Sequence, residues 1–285
     1  MNMRTNPRNS INTAFGLVLA GALVGGMAAP ASANPVETTS GTGPYDAVYT
    51  TAPFFGDHTI YRPNELPDDE DLPIVAWGNG GCIANGTMFE NFLLELASHG
   101  YLVIANGSPG GFGSTDADML TEAVDWAIER DGLWYSEYQG HLDTDNIAVM
   151  GQSCGGLETY EVADDPRITT TALWNSGLLD DGDAHQIDAL HAPIAYFTGG
   201  PSDIAHGNAL DDWDRLPESL PAFFGSLDVG HTGTFGEPNG GEYGQVGVAW
   251  LDWHLKNDAA AGAEFVGSDC GLCDSAWEVN QRNLT

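Results

Sequence analysis

Short hydrophobic segments alternate with amphipathic segments of helical period along most of this sequence. The hydrophobic segments cover residues 74–77, 102–105, 147–150, 168–174, 194–198 and 222–227. Apolar side chains recur at helical spacing in residues 89–97, 120–128 and 246–253. This alternation is typical of a mostly parallel sheet that is buried by helices on both faces. It predicts a single doubly wound α/β domain, and residues 45–61 resemble antiparallel strands at the start of the sheet.

Residues 147–156 form a hydrophobic strand that continues into the pattern Gly-x-Ser-x-Gly and then into a helix. Such a strand, sharp turn and helix are typical of a nucleophile elbow. The turn holds its central residue in a strained backbone conformation, so its neighbours must be small, as Gly151, Gly155 and Gly156 are. We therefore predict that Ser153 is a catalytic nucleophile at a helix N-terminus, where developing negative charge is stabilised.

A serine nucleophile needs a general base and an acid that orients the base, and in this architecture the acid precedes the His along the chain. Asp203 follows the predicted strand at 194–198, and His231 follows the one at 222–227. We predict Asp203 as the acid and His231 as the base. The rivals that stay open are His206 for the base, and Asp228, Asp211 and Asp212 for the acid.

Attack by a serine leaves negative charge on a carbonyl oxygen, which backbone N–H groups must stabilise. Cys154, directly after the nucleophile, is the expected first donor. The second donor is expected from the glycine-rich loop after the strand at 74–77. Gly80, Gly81 and Cys82 are the candidates in that loop, and the sequence leaves the choice among them open.

The N-terminus resembles a secretory signal peptide. Arg4 and Arg8 precede an uncharged stretch at residues 11–28, and small residues before Ala33 form a cleavage pattern. A membrane anchor is the alternative, but Pro30 breaks the stretch, and no later segment is long enough to span a bilayer. We predict a protein without a membrane anchor, extracellular or periplasmic after cleavage near Ala33. The predicted organisation is a signal peptide at 1–33, a flexible lead-in at 34–43 and one domain at 44–285.

Acidic residues dominate the charge of the chain. Lys and Arg total 8 against 41 Asp and Glu, which gives a formal net charge of −33 and a pI near 4.1. Nucleic acid and anionic membranes would repel such a protein, so neither is a predicted partner. We interpret the charge as an acidic surface adapted to high salt, with an ordinary acidic secreted protein as the alternative. The acidic run at 68–71 is interpreted as a solvated turn, and no metal is predicted.

Ser153 in its elbow, together with Asp203 and His231, resembles the α/β-hydrolase superfamily. Finer features are similar to secreted cutinase-like polyesterases and to relatives of the dienelactone hydrolases. The matching phrases lie at residues 96–104, 142–144, 203–205 and 249–258. The resemblance covers most of residues 43–273. It implies the same three catalytic roles and puts Trp174 near the site of the acyl group.

The cysteines depart from that pattern. Polyesterases of this kind usually have an aromatic residue where this chain has Cys82 and Met where it has Cys154, and dienelactone hydrolases use Cys as the nucleophile. Four cysteines allow three disulfide connectivities. We favour Cys82–Cys154, because the fold would bring the two oxyanion loops together, and Cys270–Cys273 in the C-terminal tail. Free thiols at the first pair and a redox or zinc site at the second are the alternatives.

The predicted active site is open. Only residues 175–192 separate two predicted strands where a lid is common in this fold, so no large lid is expected and bulky or polymeric esters suit the cleft. Trp174, Asn175 and Asn79 are the predicted substrate contacts, with a core position for Trp174 as an equal alternative. We predict a monomeric serine carboxylic-ester hydrolase that forms an acyl-enzyme and needs no cofactor. A peptidase or amidase with the same triad and a non-catalytic secreted binding protein are the alternatives.

Overall fold

A computed structural model describes residues 41–285, and in this part of the chain nine strands form one mixed sheet. The strands are β1 Ala47–Ala52, β2 Phe55–Pro63, β3 Leu72–Gly78, β4 Leu102–Asn106, β5 Leu142–Gln152, β6 Ile168–Trp174, β7 Ile194–Thr198, β8 Ala222–Ser226 and β9 Glu278–Arg282. Their order across the sheet is β1-β2-β4-β3-β5-β6-β7-β8-β9. The six strands from β3 to β8 run parallel, and antiparallel strands flank them on both sides.

Helices cover both faces of the sheet. They are α1 Glu90–Ser98, α2 Asp118–Gly132, α3 Cys154–Val162, α4 His185–Ala189, α5 His206–Arg215, α6 Gly241–Leu255 and α7 Ala259–Gly262. Side chains of α1 and α6 share a core cluster with Val75 and Trp77 of β3, whereas α2 packs with the alternate residues Ile74 and Ala76. A third cluster joins α3 and α5 to β6, β7 and β8. Successive side chains of β3 thus point to opposite faces of the sheet, and both faces are buried.

The doubly wound α/β fold predicted from the sequence is therefore confirmed, with each predicted parallel strand in the sheet. The segment between β6 and β7 contains only α4 and one short 3-10 turn, so no large lid is inserted there. Four elements were not predicted: the helices α4, α5 and α7 and the edge strand β9. Among the described residues, no helix is both long and apolar enough to cross a bilayer.

The predicted signal peptide at 1–33 and most of the predicted lead-in lie outside the described residues. The lead-in residues that the structure describes contact α1. The Thr42 amide donates to Glu95 Oε2 at 2.7 Å, and the Gly43 amide donates to Ser98 Oγ at 3.0 Å. The end of the lead-in is thus hydrogen bonded to the domain.

Candidate active site

Ser153 lies at a sharp turn between the end of β5 and the start of α3. Its backbone has φ 53° and ψ −116°, a conformation that few L-residues adopt. The strand and the helix approach each other so closely that a Cβ atom on Gly155 would overlap the backbone of Gly78, and one on Gly151 would overlap the Gly155 carbonyl. Only glycine fits these two positions, which explains the glycines of the Gly-x-Ser-x-Gly pattern.

Three side chains from separate loops meet at the carboxyl edge of the sheet. His231, in the loop after β8, has its Nε2 atom 3.0 Å from Ser153 Oγ. Its other ring nitrogen, Nδ1, lies 2.6 Å from Oδ1 of Asp203, which is in the loop after β7. The geometry is that of a hydroxyl, an imidazole and a carboxylate hydrogen bonded in series, as proton transfer from serine requires.

The Asp203 carboxylate is completely shielded from solvent and is held by several donors. The Gly199 amide donates to Oδ2 at 2.9 Å, and the Ala205 amide donates to Oδ1 at 2.9 Å. Burial acts to raise the pKa of Asp203, but these hydrogen bonds, with those from Asn175 and His231, outweigh it and hold the pKa below its usual value. Asp203 is therefore a stable anion that can orient the imidazole.

Two residues support this arrangement in a way that the sequence did not predict. Asn175 Nδ2 lies 2.8 Å from Asp203 Oδ2, 3.2 Å from the Gly230 carbonyl and 3.1 Å from the Tyr243 hydroxyl. Gln152, immediately before Ser153, donates from Nε2 to the His231 carbonyl at 2.9 Å. Asn175 was predicted as a substrate contact because it follows a strand. Its side-chain amide is instead directed at the acid, although the residue also lines the cleft.

The rival candidates lie elsewhere. His206 begins α5, and its Nδ1 is 2.9 Å from Thr198 Oγ1. Asp228 is exposed and lies 3.3 Å from the Ser202 hydroxyl. Asp212 is buried beside the third core cluster, where it accepts from Tyr160 and from the Leu178 amide, and Asp211 is exposed next to it. Among residues 41–285, the His231 ring is hydrogen bonded to Asp203 and Ser153 and to none of these carboxylates.

The two predicted oxyanion loops are joined by a covalent bond. Cys154 is the first residue of α3, a position where a helical N–H has no partner within the helix. Gly80, Gly81 and Cys82 form a single 3-10 turn, and the last two have positive φ values of 64° and 47°. A Cys82–Cys154 disulfide holds the two Cα atoms 5.3 Å apart. Cys270 and Cys273 form the second disulfide, so both favoured pairings are present.

A cavity of about 200 Å³ opens beside Ser153. Ser153, Cys154 and His231 line it, together with residues of α3, of the loop after β6, of the loop before α5 and of α5 itself. Leu179 and Ile204 stand at its edge with 73% and 80% of their surface exposed. The cleft is accordingly open and largely apolar, as ligand pockets commonly are.

Two of the predicted substrate contacts are placed in the interior. Trp174 has no exposed surface, and its ring packs against Phe197 and Phe92 at centroid distances of 4.4 and 5.1 Å. Asn79 is also fully buried; it accepts from Trp77 Nε1 at 3.2 Å and donates to the carbonyls of the loop at 83–85. Trp174 is a core residue, which is the alternative that the sequence left equally open. The buried position of Asn79 disagrees with a substrate contact, and its side chain instead fixes the loop that follows β3.

A doubly wound sheet with a serine elbow at its carboxyl edge defines the class of the α/β-hydrolases. Among the described residues, no three His, Cys, Asp or Glu side chains are grouped so that they could hold a metal ion. A family model described as PET hydrolase-like matches residues 28–271. The chain belongs to this PET hydrolase-like family and is a serine carboxylic-ester hydrolase. No curated protein matches the sequence.

Proposed function

We propose that the protein is a secreted hydrolase of bulky or polymeric carboxylic esters, with Ser153 as nucleophile, His231 as general base and Asp203 as the orienting acid. The observation that carries the proposal is the continuous hydrogen-bonded series. Ser153 Oγ is 3.0 Å from His231 Nε2, and His231 Nδ1 is 2.6 Å from Asp203 Oδ1. These are distances at which a proton can pass from the hydroxyl to the imidazole.

In the first half-reaction, Ser153 Oγ bonds to the ester carbonyl carbon while His231 Nε2 takes the hydroxyl proton. The carbonyl oxygen becomes negative and accepts hydrogen bonds from the Cys154 amide and from an amide of the turn at Gly80–Cys82. The carbon–oxygen bond of the ester then breaks, and His231 gives its proton to the departing alcohol. An acyl group remains on Ser153.

Water completes the reaction. His231 takes a proton from a water molecule, whose oxygen bonds to the acyl carbon, and the same amides stabilise the second oxyanion. When the bond to Ser153 breaks, His231 returns the proton to Oγ and the carboxylic acid leaves. Asp203 remains an anion throughout and stabilises the protonated imidazole.

The open cleft supports the choice of a bulky or polymeric substrate. The connection between β6 and β7 is too short to contain a large lid that would cover the cleft. Leu179 and Ile204 expose apolar surface next to the proposed nucleophile. A chain that extends beyond the cavity can lie over this surface, which a closed tunnel would not allow. The signal-peptide pattern at 1–33 and the two disulfides support secretion, because disulfides persist in oxidising compartments.

The test is the hydrolysis of p-nitrophenyl butyrate in molar salt by the mature protein, by Ser153→Ala and by the control Ser268→Ala, which alters an exposed serine in the C-terminal region. We expect kcat of Ser153→Ala to fall on the order of 10⁴-fold or more, with native circular dichroism, and the control to keep full activity. A matched p-nitroanilide tests amide hydrolysis. Undiminished turnover by Ser153→Ala would refute the proposed nucleophile.

A further inference from the structure

A carboxyl group is buried behind the turn that is proposed to supply the second oxyanion donor. Glu158, on α3, has only 4% of its surface exposed, and a Cβ atom on Gly78 at the end of β3 would stand 3.1 Å from its Oε2 atom. Burial raises the pKa of this carboxyl above its usual value. Within residues 41–285, no Lys, Arg or His forms an ion pair with Glu158. A buried carboxyl without a cation costs free energy, so its place in the fold points to a role other than stability.

Each oxygen of the Glu158 carboxylate accepts a hydrogen bond from another buried side chain. Thr115 Oγ1 donates to Oε1, and Asn106 Nδ2 donates to Oε2 at 3.1 Å. Thr115 lies in the segment between β4 and α2, and Asn106 is the last residue of β4. Glu158 therefore connects α3 to two further parts of the chain.

Both of these partners are in turn hydrogen bonded to the oxyanion turn. The Thr115 amide donates to the carbonyl of Cys82, the last residue of the turn, at 2.9 Å. The Asn106 carbonyl accepts from Nδ2 of Asn79, the residue directly before the turn. Two chains of hydrogen bonds thus run from one carboxylate to the two ends of the turn.

The turn itself needs such support. Gly81 and Cys82 have positive φ values of 64° and 47°, and Cys keeps this unfavourable conformation only where neighbouring contacts hold it. The Cys82–Cys154 disulfide ties the turn to α3 at one point, through side-chain bonds that can rotate. The hydrogen bonds through Asn79 and Thr115 add contacts at both ends. Together these contacts define the direction in which the amides of the turn point.

We propose that Glu158 is a positioning residue of the oxyanion site, whose carboxylate holds the turn at Gly80–Cys82 so that a backbone N–H of the turn is directed at the oxyanion. The inference rests on the proposed function and adds a residue to its machinery. Glu158 does not line the cavity, so it acts through the turn and not on the substrate. A donor that is aimed at the oxyanion stabilises the transition state more than the bound ester. Loss of Glu158 should therefore lower kcat and leave KM nearly unchanged.

Two replacements of Glu158 and one control test the inference with p-nitrophenyl butyrate. Glu158→Met keeps the length of the side chain and removes both acceptor oxygens, whereas Glu158→Gln keeps one. We expect kcat to fall about tenfold or more in Glu158→Met, less than the loss of a complete oxyanion donor, and to fall less in Glu158→Gln. Glu161→Met makes the same chemical change at an exposed residue of α3 and should keep the wild-type kcat.

An inhibitor that forms an oxyanion separates positioning from a general distortion of the cleft. The trifluoromethyl ketone with a propyl chain adds Ser153 Oγ to its carbonyl carbon while His231 takes the hydroxyl proton, and the carbonyl oxygen becomes the oxyanion. The corresponding secondary alcohol fills the same cleft without forming one. In Glu158→Met, we expect Ki of the ketone to rise by the same factor by which kcat/KM falls, and Ki of the alcohol to stay within about twofold of the wild type.

Thr115 supplies a second test if Glu158→Met does not fold. Thr115→Val removes the hydroxyl that donates to Glu158 and keeps the shape of the side chain, so kcat should fall several-fold with unchanged KM. Thr115→Ser keeps the hydroxyl and should retain most of the activity.

The outcomes separate the inference from the proposed function. Unchanged kcat in a natively folded Glu158→Met, or in Thr115→Val where that variant is the one that folds, would overturn the inference. So would an equal rise in Ki for the ketone and the alcohol. In either case, turnover by the wild type that is lost in Ser153→Ala would still support the proposed function. A folded wild type without turnover would overturn the proposed function and the inference with it.

Discussion

Asn175 links the acid of the proposed triad to the core of the protein. It has a positive φ of 45° and no exposed surface, so its amide is directed inward to Asp203, the Gly230 carbonyl and the Tyr243 hydroxyl. Burial raises the pKa of Tyr243 well above its usual value, so this phenol stays neutral and can accept from the amide. The acid therefore depends on a residue that does not itself touch the imidazole.

We predict that Asn175→Ala lowers kcat about tenfold or more and leaves KM nearly unchanged, because a hydrogen bond to a charged group contributes roughly 1.5–3 kcal/mol. The loss of a donor also raises the pKa of Asp203. A depressed carboxyl pKa stabilises the fold above the unfolded pKa of about 3.9, and this stabilisation is lost as pH falls through the folded pKa. The variant should therefore be less stable than the wild type at pH 7, and the difference should shrink toward pH 3 in thermal unfolding.

Asn257→Ala is the matched control for that variant. Asn257 also has a positive φ, 56°, but it is exposed and lies outside the cleft. Its replacement imposes the same backbone strain without removing a donor from Asp203. If Asn257→Ala lowers kcat as much as Asn175→Ala does, the role assigned to the Asn175 amide is wrong.

The sequence could not predict which way individual side chains of the site point. Strand ends could be located from hydrophobic runs, which is why Asp203 and His231 were chosen over their rivals. Trp174 was uncertain because the last residue of a strand can face either the core or the cleft, and the choice depends on what covers it. Here Phe92 of α1 and Phe197 of β7 cover the ring.

At the scale of elements, the Cys82–Cys154 disulfide joins the turn after β3 to the first residue of α3. The bond spans a sequence separation of 72 residues, and loop-closure entropy alone assigns it about 4 kcal/mol of stability. It also connects the two segments from which the oxyanion donors are proposed to come. We infer that it fixes the distance between those donors, so that little reorganisation accompanies the reaction.

We predict that the double variant Cys82→Ser/Cys154→Ser lowers kcat about tenfold or more, since the loss of a complete oxyanion donor costs about 100-fold or more. KM for a short ester should change little, because Ser is close in size to Cys154, which lines the cavity, and the apolar side chains of Leu157 and Ile204 are unchanged. The measurement is steady-state kinetics well below the unfolding temperature, with circular dichroism to confirm the native state.

The second disulfide supplies the control. Cys270→Ser/Cys273→Ser removes a bond of sequence separation 3 in the C-terminal region, outside the cleft. We expect this variant to keep the wild-type kcat. If the double variant at Cys82 and Cys154 is natively folded and its kcat is unchanged, the disulfide does not position the oxyanion donors and contributes only to stability.

Two of the missed elements, α5 and β9, have a common physical cause. In α5, the buried positions are occupied by Ala209 and by Asp212, so a charged residue interrupts the apolar stripe that marks a helix. In β9, Val279 is the single aliphatic residue, and the strand forms by pairing with β8 at the edge of the sheet. Both elements are stabilised by tertiary partners, which a local hydrophobic pattern does not encode.

At the scale of the whole molecule, negative charge is nearly uncompensated. Within residues 41–285, the cations that form ion pairs do so with partly exposed carboxylates, as Arg62 does with Glu137 at 3.0 Å and Arg167 with Asp125 at 2.6 Å. Such exposed pairs contribute little each. The remaining acidic side chains repel one another, and this self-repulsion acts against the compact state.

We predict that the melting temperature of the mature protein rises as NaCl increases from 0.1 to 2 M, because the screening length falls from about 10 Å to less than 3 Å over this range. Each 1 kcal/mol of relieved repulsion should raise Tm by roughly 2–4 °C. A variant with the exposed acids at 68–71 changed to Asn and Gln removes four negative charges and should show a shallower rise. The comparison must hold pH and protein concentration fixed. If Tm is independent of salt in the wild type, or if the variant keeps the full slope, then long-range repulsion does not limit stability and the acidic surface needs a different explanation.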